Sequence, residues 1–256
     1  MRYGKTTILM SGIIFLTQLW VCTVTDSSAD AIHHPLAQSS EHTDPYLICE
    51  KGERQSPINI PSSAPTKMIH ELTFQYQPTD IHIIHDGHSL RALNKNDSRV
   101  LVDGQVYRLL QFHFHDPSEH HIDGVSFPME MHLVHQNSEG HILVIGVLFQ
   151  EGKENSEIAR AGAWIKKQLG HYLVYHGEEV SGHYKIDIMK LLPDNLSNFF
   201  TYSGSLTTPP CSEGVKWVVI RDPTEIASEQ VDRFVSTYGP TARPIQPLHG
   251  RDILGQ

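Results

Sequence analysis

Gln111-Phe112-His113-Phe114-His115 and Glu130-Met131-His132-Leu133-Val134-His135 are the two stretches that decide how this chain folds. Successive side chains on a strand point to opposite faces. Gln111, His113 and His115 therefore share one face, and Phe112 and Phe114 share the other. In the second stretch Glu130, His132 and Val134 lie together, with Met131, Leu133 and His135 opposite. If the two strands pair, His113, His115 and His132 converge on one point. Three imidazoles around an open fourth position form a zinc arrangement for activating water. Gln111 and Glu130 each stand two residues before a ligand on the same face, where an acceptor for its free ring N–H belongs. The chain has 18 His, so some His-x-His pairs arise by chance, and a lone one reads as surface or coincidence. The Phe residues opposite indicate a buried strand, where three unpartnered imidazoles are costly unless a metal takes them. The two segments together read as a metal site.

The chain opens with Arg2 and Lys5, followed by a mostly apolar run from Ile8 to about Val24 and then Ala29-Asp30-Ala31. This is the pattern of a signal peptide over residues 1–31, cleaved after Ala31. A membrane anchor is the rival reading; the run is short for a span and is broken by Ser11, Gly12, Thr17 and Gln18. Cys22 leaves with the leader; a lipid on it is disfavoured by the bulk of Val21. Residues 32–256 then form the mature domain. Arg2 and Lys5 are offset by Asp26 and Asp30, so the formal net charge of −9 is unchanged by cleavage. That balance argues against nucleic acid as a partner. A chain of this length buries a full core, and β-rich chains of this size are commonly one domain. Cys49 and Cys211 remain, and in an exported chain such a pair implies a disulfide, with two free buried thiols as the alternative.

Strand-like stretches dominate from Leu72 onward: Leu72–Tyr76, Ile81–His85, Arg99–Val102, Gln105–His115, Met129–Gln136, His141–Phe149 and Val215–Ile220. Asp86-Gly87, Asp103-Gly104, Asp123-Gly124 and Glu139-Gly140 supply turn signals between them. Glu154–Leu169 carries apolar residues at helical spacing and stops at Gly170; Ser228–Thr237 is a second helix, and Asp187–Leu192 a single turn. Residues 32–48 lack a clear period. No repeat or linker divides the chain. The expected fold is mainly β with short α-helices, in a single domain.

In order along the chain stand Gln55-Ser56-Pro57-Ile58-Asn59-Ile60, the strand 111–115, Ser118-Glu119-His120, the strand 130–135, Gly204-Ser205-Leu206-Thr207-Thr208-Pro209-Pro210 and Arg243-Pro244-Ile245-Gln246-Pro247-Leu248. This series closely resembles the α-class carbonic anhydrases, in their exported bacterial form, from about Tyr46 to Ile253. The resemblance implies a central twisted, largely antiparallel sheet with zinc at the bottom of a conical cleft. It implies zinc ligation by His113, His115 and His132, with Gln111 and Glu130 behind them. Thr207 matches the threonine that accepts from zinc-bound hydroxide and donates to a buried carboxylate, here Glu119. An ionised carboxylate only accepts, so it fixes the direction of the threonine proton. Thr208 matches a bicarbonate contact. Val134, Val144, Leu206, Val215 and Trp217 match the apolar carbon dioxide pocket, and Cys49 and Cys211 match a pair bridged in many exported members. His88, in His85-Asp86-Gly87-His88, aligns with the proton shuttle, and His85 is its neighbour and competitor.

The chain departs from the family in three places. Residues 32–48 hold Tyr46 and no Trp where the family has a Trp-Gly-Tyr lead-in. Asp86 stands where asparagine is common, and Thr241 where asparagine precedes the Arg-Pro pair. The reading that follows is a zinc enzyme outside the cytoplasm, in the periplasm or secreted, interconverting carbon dioxide and bicarbonate, as a monomer or homodimer. The alternative is a catalytically weak or inactive relative serving as a binding protein; such relatives typically lack a zinc histidine, and all three are present. Metal storage fits poorly, because the histidines are spread along the chain. An esterase would lack a Gly-x-Ser-x-Gly elbow.

Overall fold

In the computed structural model of the chain, residues 47–66, 71–85 and 90–256 are described, all within one compact unit, Thr43–Gln256. The expected signal peptide, the lead-in to residue 46, and Asp86 and His88 lie outside these residues. A short helix, α1 (Leu47–Lys51), is followed by strands β1 (Asn59–Ile60), β2 (Leu72–Gln75), β3 (Thr79–His85), β4 (Leu90–Leu93), β5 (Arg99–Val102) and β6 (Gln105–His115). Next come β7 (His121–Ile122), β8 (Met129–Gln136), β9 (Ile142–Glu151) and the helix α2 (Ser156–Leu169). The chain closes with β10 (Glu179–Ile186), a single 3₁₀ turn Ile188–Leu191, β11 (Phe199–Ser205), β12 (Glu213–Ile226), α3 (Ser228–Tyr238) and β13 (Leu254–Gly255). No helix among the described residues is long and apolar enough to cross a membrane.

The main sheet runs β10-β3-β4-β6-β8-β9-β12-β11-β13, with β5 on the first half of β6 and β2 on β5. Among the described residues every pairing in it is antiparallel except β9 with β12. The seven strands expected from sequence are present, β12 considerably longer than expected. Four more strands of this sheet went unread, among them β13, which has only two residues. β4 has four residues, too few for a period. β10 alternates weakly through Gly182 and His183. β11 is buried almost throughout, so its Phe199-Phe200-Thr201-Tyr202 run shows no alternation.

One irregularity aims the histidine strand. Leu109 pairs with His135, but Gln111 pairs with Val134, so Leu110 is an extra residue in β6. Such a bulge reverses the side-chain alternation beyond it. Tyr107 and Leu109 point into one core before the bulge, and Phe112 and Phe114 pack into the same core after it. Leu110 is left exposed, and Gln111, His113 and His115 turn to the opposite face.

Two cores flank the sheet. The larger gathers Tyr107, Leu109, Phe112, Met131, Leu133, Ile145 and Val147 with Ile165 of α2 and Phe234 of α3. Helix α2 begins where the Asn155 side chain accepts from the Glu157 and Ile158 N–H groups, and it ends at Gly170 in the left-handed region (φ 85°). His135 belongs to this side; fully buried, it lies 2.6 Å from the Tyr76 hydroxyl. Burial lowers its pKa from 6.5 to about 3. The smaller core holds Ile58, Ile60, Val144, Phe200, Tyr202, Val215, Trp217 and Val219, with Val134 and Leu206 packed against it. The histidine face opens on this side.

Candidate metal centre

The β6–β8 register places His113 directly opposite His132, and His115 opposite Glu130. One ring nitrogen from each of His113, His115 and His132 lies within 4.8 Å of the others, and all three residues are buried. The second nitrogen of each ring is engaged. His113 Nδ1 is 2.9 Å from Gln111 Oε1, His115 Nδ1 is 3.3 Å from the Thr241 carbonyl oxygen, and His132 Nε2 is 3.0 Å from Glu130 Oε1. These acceptors require N–H at those positions. The remaining lone pairs, on Nε2 of His113 and His115 and on Nδ1 of His132, therefore face inward. His115 Nε2 is buried with no hydrogen-bond partner among the described residues. A donor set of three neutral imidazoles, each oriented by an acceptor behind it, fits a zinc ion. Sequence reasoning anticipated Gln111 and Glu130 but not Thr241, whose backbone carbonyl carries no side-chain signal. Thr241 adds two more contacts: its N–H donates to Asp116 O at 2.7 Å, and its hydroxyl accepts from Asp116 N–H at 3.1 Å.

Electrostatics follow the same division. Burial holds the His113 pKa well below the usual range, helped by the charges of His115, His132 and Arg91. Burial also lowers His115. Burial acts against a charged His132, but the Glu130 carboxylate beside it prevails and raises its pKa. Glu130 itself is held well below the carboxylate range; burial alone would raise it, and the His120 and His132 rings more than offset that. Filling the site with a cation displaces any proton from the inner nitrogens, so metal affinity falls in acid.

Glu130 is the hub of a buried network. Its Oε2 accepts from the His120 backbone N–H at 2.8 Å, and its Oε1 lies 2.7 Å from His120 Nδ1. His120, Glu130 and His132 also have the spacing of a metal cluster, but these hydrogen bonds already occupy the facing atoms. His120 Nε2 lies 2.6 Å from the Tyr202 hydroxyl, which donates to Ser56 Oγ at 2.8 Å. The carboxylate has room because residue 146, opposite His132 on β9, is glycine. A Cβ there would stand 2.7 Å from Glu130 Oε1.

Glu119 is buried beside the same rings, its Oε1 3.6 Å from His115 Nδ1 and its Oε2 3.8 Å from His132 Nδ1. Its Oε1 accepts from the Arg243 backbone N–H at 2.8 Å. The Arg243 guanidinium is fixed by Gln55 Oε1 and by the Ser56 and Cys49 carbonyls at 2.7–2.9 Å. Glu119 Oε2 has no hydrogen-bond partner among the described residues. The expected donation from the Thr207 hydroxyl is thus not made to that oxygen. Thr207 and Thr208 lie on the loop after β11, half-buried. That loop is closed by Leu206 N–H to Ser212 O at 3.0 Å and Cys211 N–H to Thr208 O at 2.9 Å. The Cys49–Cys211 disulfide ties it to α1.

The five expected apolar residues do come together. Val134 is opposite Val144, and Val144 opposite Trp217, in one row across β8, β9 and β12. The Trp217 ring centroid is 4.8 Å from that of His132, and its indole N–H donates to Ser205 O at 2.9 Å. Val215 and Leu206 complete the same cluster. His85, by contrast, pairs with Leu90 and contacts Tyr238 at 5.1 Å between ring centroids. It shares the face of Ile81 and Ile83 in the larger core and points away from the histidine triad.

A sequence model for eukaryotic-type carbonic anhydrase matches residues 38–256. The chain belongs to the carbonic anhydrase family. It is 40% identical over 210 residues to a carbonic anhydrase of Pectobacterium atrosepticum, 82% of each chain being covered. A carbonic anhydrase of Neisseria gonorrhoeae is 30% identical over 263 residues and covers 99% of both. Among solved structures, the α-carbonic anhydrase of Thermovibrio ammonificans, in complex with the inhibitor sulfanilamide, superposes with a TM-score of 0.76 at 38% identity, over 82% of this chain and 90% of that one. The chain is accordingly an enzyme of the carbonic anhydrase kind, with the family's twisted, mixed sheet.

Proposed function

We propose that this chain hydrates carbon dioxide reversibly to bicarbonate and a proton, with zinc held by His113, His115 and His132. The observation that carries the reading is the convergence of three ring nitrogens within 4.8 Å, each ring oriented from behind by Gln111, Thr241 or Glu130. Zinc in such a site acts as a Lewis acid that makes a nucleophile of water near neutral pH. The protein residues supply the rest. Val134, Val144, Leu206, Val215 and Trp217 offer an apolar wall on which carbon dioxide, itself apolar, gains by leaving water. Thr207 would turn the nucleophile's lone pair toward that wall by accepting its hydrogen bond and donating in turn to Glu119 Oε2, a contact its hydroxyl does not make in this structure. Thr208 contacts the product. His88 carries the released proton to bulk buffer; this assignment rests on the resemblance of its motif, and its competitor His85 faces the other side of the sheet. Residues 1–31 direct export and are removed, leaving the 32–256 domain in the periplasm or secreted. The Cys49–Cys211 disulfide supports an oxidising compartment.

Stopped-flow hydration of carbon dioxide on metal-free and zinc-reconstituted protein tests the proposal. Activity should return with zinc and be absent in His132→Ala. His88→Ala should lower turnover mainly in dilute buffer and be rescued by imidazole. Equal hydration by metal-free and zinc-loaded protein would overturn the reading.

A further inference from the structure

We propose that Arg91 forms a cationic subsite on the cleft wall that recruits bicarbonate and other small monovalent anions to the metal centre. The inference rests on the zinc reading above and assigns a binding residue to it. In the β4–β6 pairing Arg91 lies directly opposite His113. Its neighbours Leu90 and Ala92 line the apolar cavity behind the sheet, together with Phe112 and Phe114. Alternation then puts Arg91 on the face of Gln111, His113 and His115. Directly opposed residues have their β-carbons roughly 5 Å apart, so the long Arg91 side chain is within reach of the space in front of His113. His113, the histidine that Arg91 faces across the β4–β6 pairing, is also the least buried of the three, at 8% exposed against 2% and 1%.

Chemistry decides what such a residue takes. A guanidinium stays charged at any working pH and presents a planar fork that matches a carboxylate-like oxyanion. The opposite wall, from Val134 to Trp217, is apolar and suits the neutral substrate. The chain as a whole carries a formal charge of −9, so its overall field repels an anion, and a cation at the cleft offsets this locally. No covalent step is involved; the role is binding.

The test compares zinc-loaded parent, Arg91→Gln and Arg91→Lys by isothermal titration calorimetry with thiocyanate and with bicarbonate. Zinc content is measured separately by atomic absorption. A unit charge within roughly 7 Å at a half-exposed site changes anion affinity by about three- to ten-fold. Arg91→Gln should therefore weaken both anions by that factor at low ionic strength, with zinc content unchanged, while Arg91→Lys stays within about twofold of the parent. In the parent, affinity should fall as an inert salt is raised to about 0.5 M. Equal anion affinities in zinc-loaded parent and Arg91→Gln overturn the subsite. So does a parent affinity indifferent to ionic strength, a measurement that needs no variant. A parent that takes up no zinc overturns the metal reading, and the subsite falls with it, but that result is read from the metal content alone.

Discussion

Replacing His135 with Gln should remove much of the acid sensitivity of this protein without touching the metal centre. His135 is completely buried on the core face of β8, against Tyr76. Its pKa is about 3 in the folded protein against 6.5 for an unperturbed imidazole. Between those values the unfolded chain binds a proton that the folded chain does not, so stability rises with pH. The contribution is complete above pH 6.5 and is lost as pH falls from there toward 3. The full shift corresponds to about 5 kcal/mol, of which roughly 2.5 kcal/mol has gone by pH 4.5. Urea unfolding of metal-free parent and His135→Gln, at pH 7.5 and pH 4.5, isolates the term. Other titrating groups act in both proteins and cancel in the comparison. At pH 7.5 the variant should be the less stable, having lost the stacked ring. On moving to pH 4.5 the parent should lose about 2–3 kcal/mol more than the variant. Equal losses in the two proteins would show that His135 takes up its proton without unfolding, and the burial argument would be wrong.

Three further outcomes are expected. Deleting Leu110 removes the bulge and forces either Tyr107 and Leu109 or His113 and His115 onto the wrong face; bound zinc, by atomic absorption, should fall to background. Gly146→Ala pushes a methyl against Glu130 Oε1, so zinc affinity in a competitive chelator titration should drop about 10–100-fold, as for other losses behind a ligand; an unchanged affinity would show that the pocket yields. Preventing the Cys49–Cys211 bridge by replacing both residues with Ser frees a loop spanning 162 positions. The chain-entropy model puts the loss of stability at up to about 5 kcal/mol, read from urea midpoints, with a smaller loss indicating residual structure in the unfolded chain.

The site was largely legible in the sequence because its ligands sit on two strands close together in the chain. Alternation alone put His113, His115, His132, Gln111 and Glu130 on one face, and the β6–β8 register agrees. Alternation could not show that Leu110 breaks the period of β6. The strand was recognised only because its two halves are each regular. The parts that went unread are those without side-chain periodicity. The third acceptor behind the ligands is a backbone carbonyl, that of Thr241. Arg243 reaches Glu119 through its N–H rather than its guanidinium. Arg91 sits on a strand of four residues, too short to declare a face. Gln55, Ser56 and His120 stand in short sequence motifs, but the hydrogen-bonded circuit joining them to Tyr202 and Arg243 runs across positions far apart in sequence and takes form only in three dimensions. His85 was read without a face; its pairing with Leu90 supplies one.

The parallel joint between β9 and β12 has a bearing on the order in which this molecule comes into being. The histidine strands β6 and β8 are separated only by residues 116–128, so closing them against each other spans a short stretch of chain. The wall against which carbon dioxide would rest needs Val144 to meet Trp217 across β9 and β12, and those strands are separated by α2, β10 and β11. Loop closure over that span carries the larger entropic penalty, and non-local pairings of this type form slowly. A chain emerging from its N-terminus thus presents all three histidines of the candidate metal centre while Leu206, Val215 and Trp217 of the apolar wall have yet to be synthesised. The capacity to hold an ion precedes the capacity to use it.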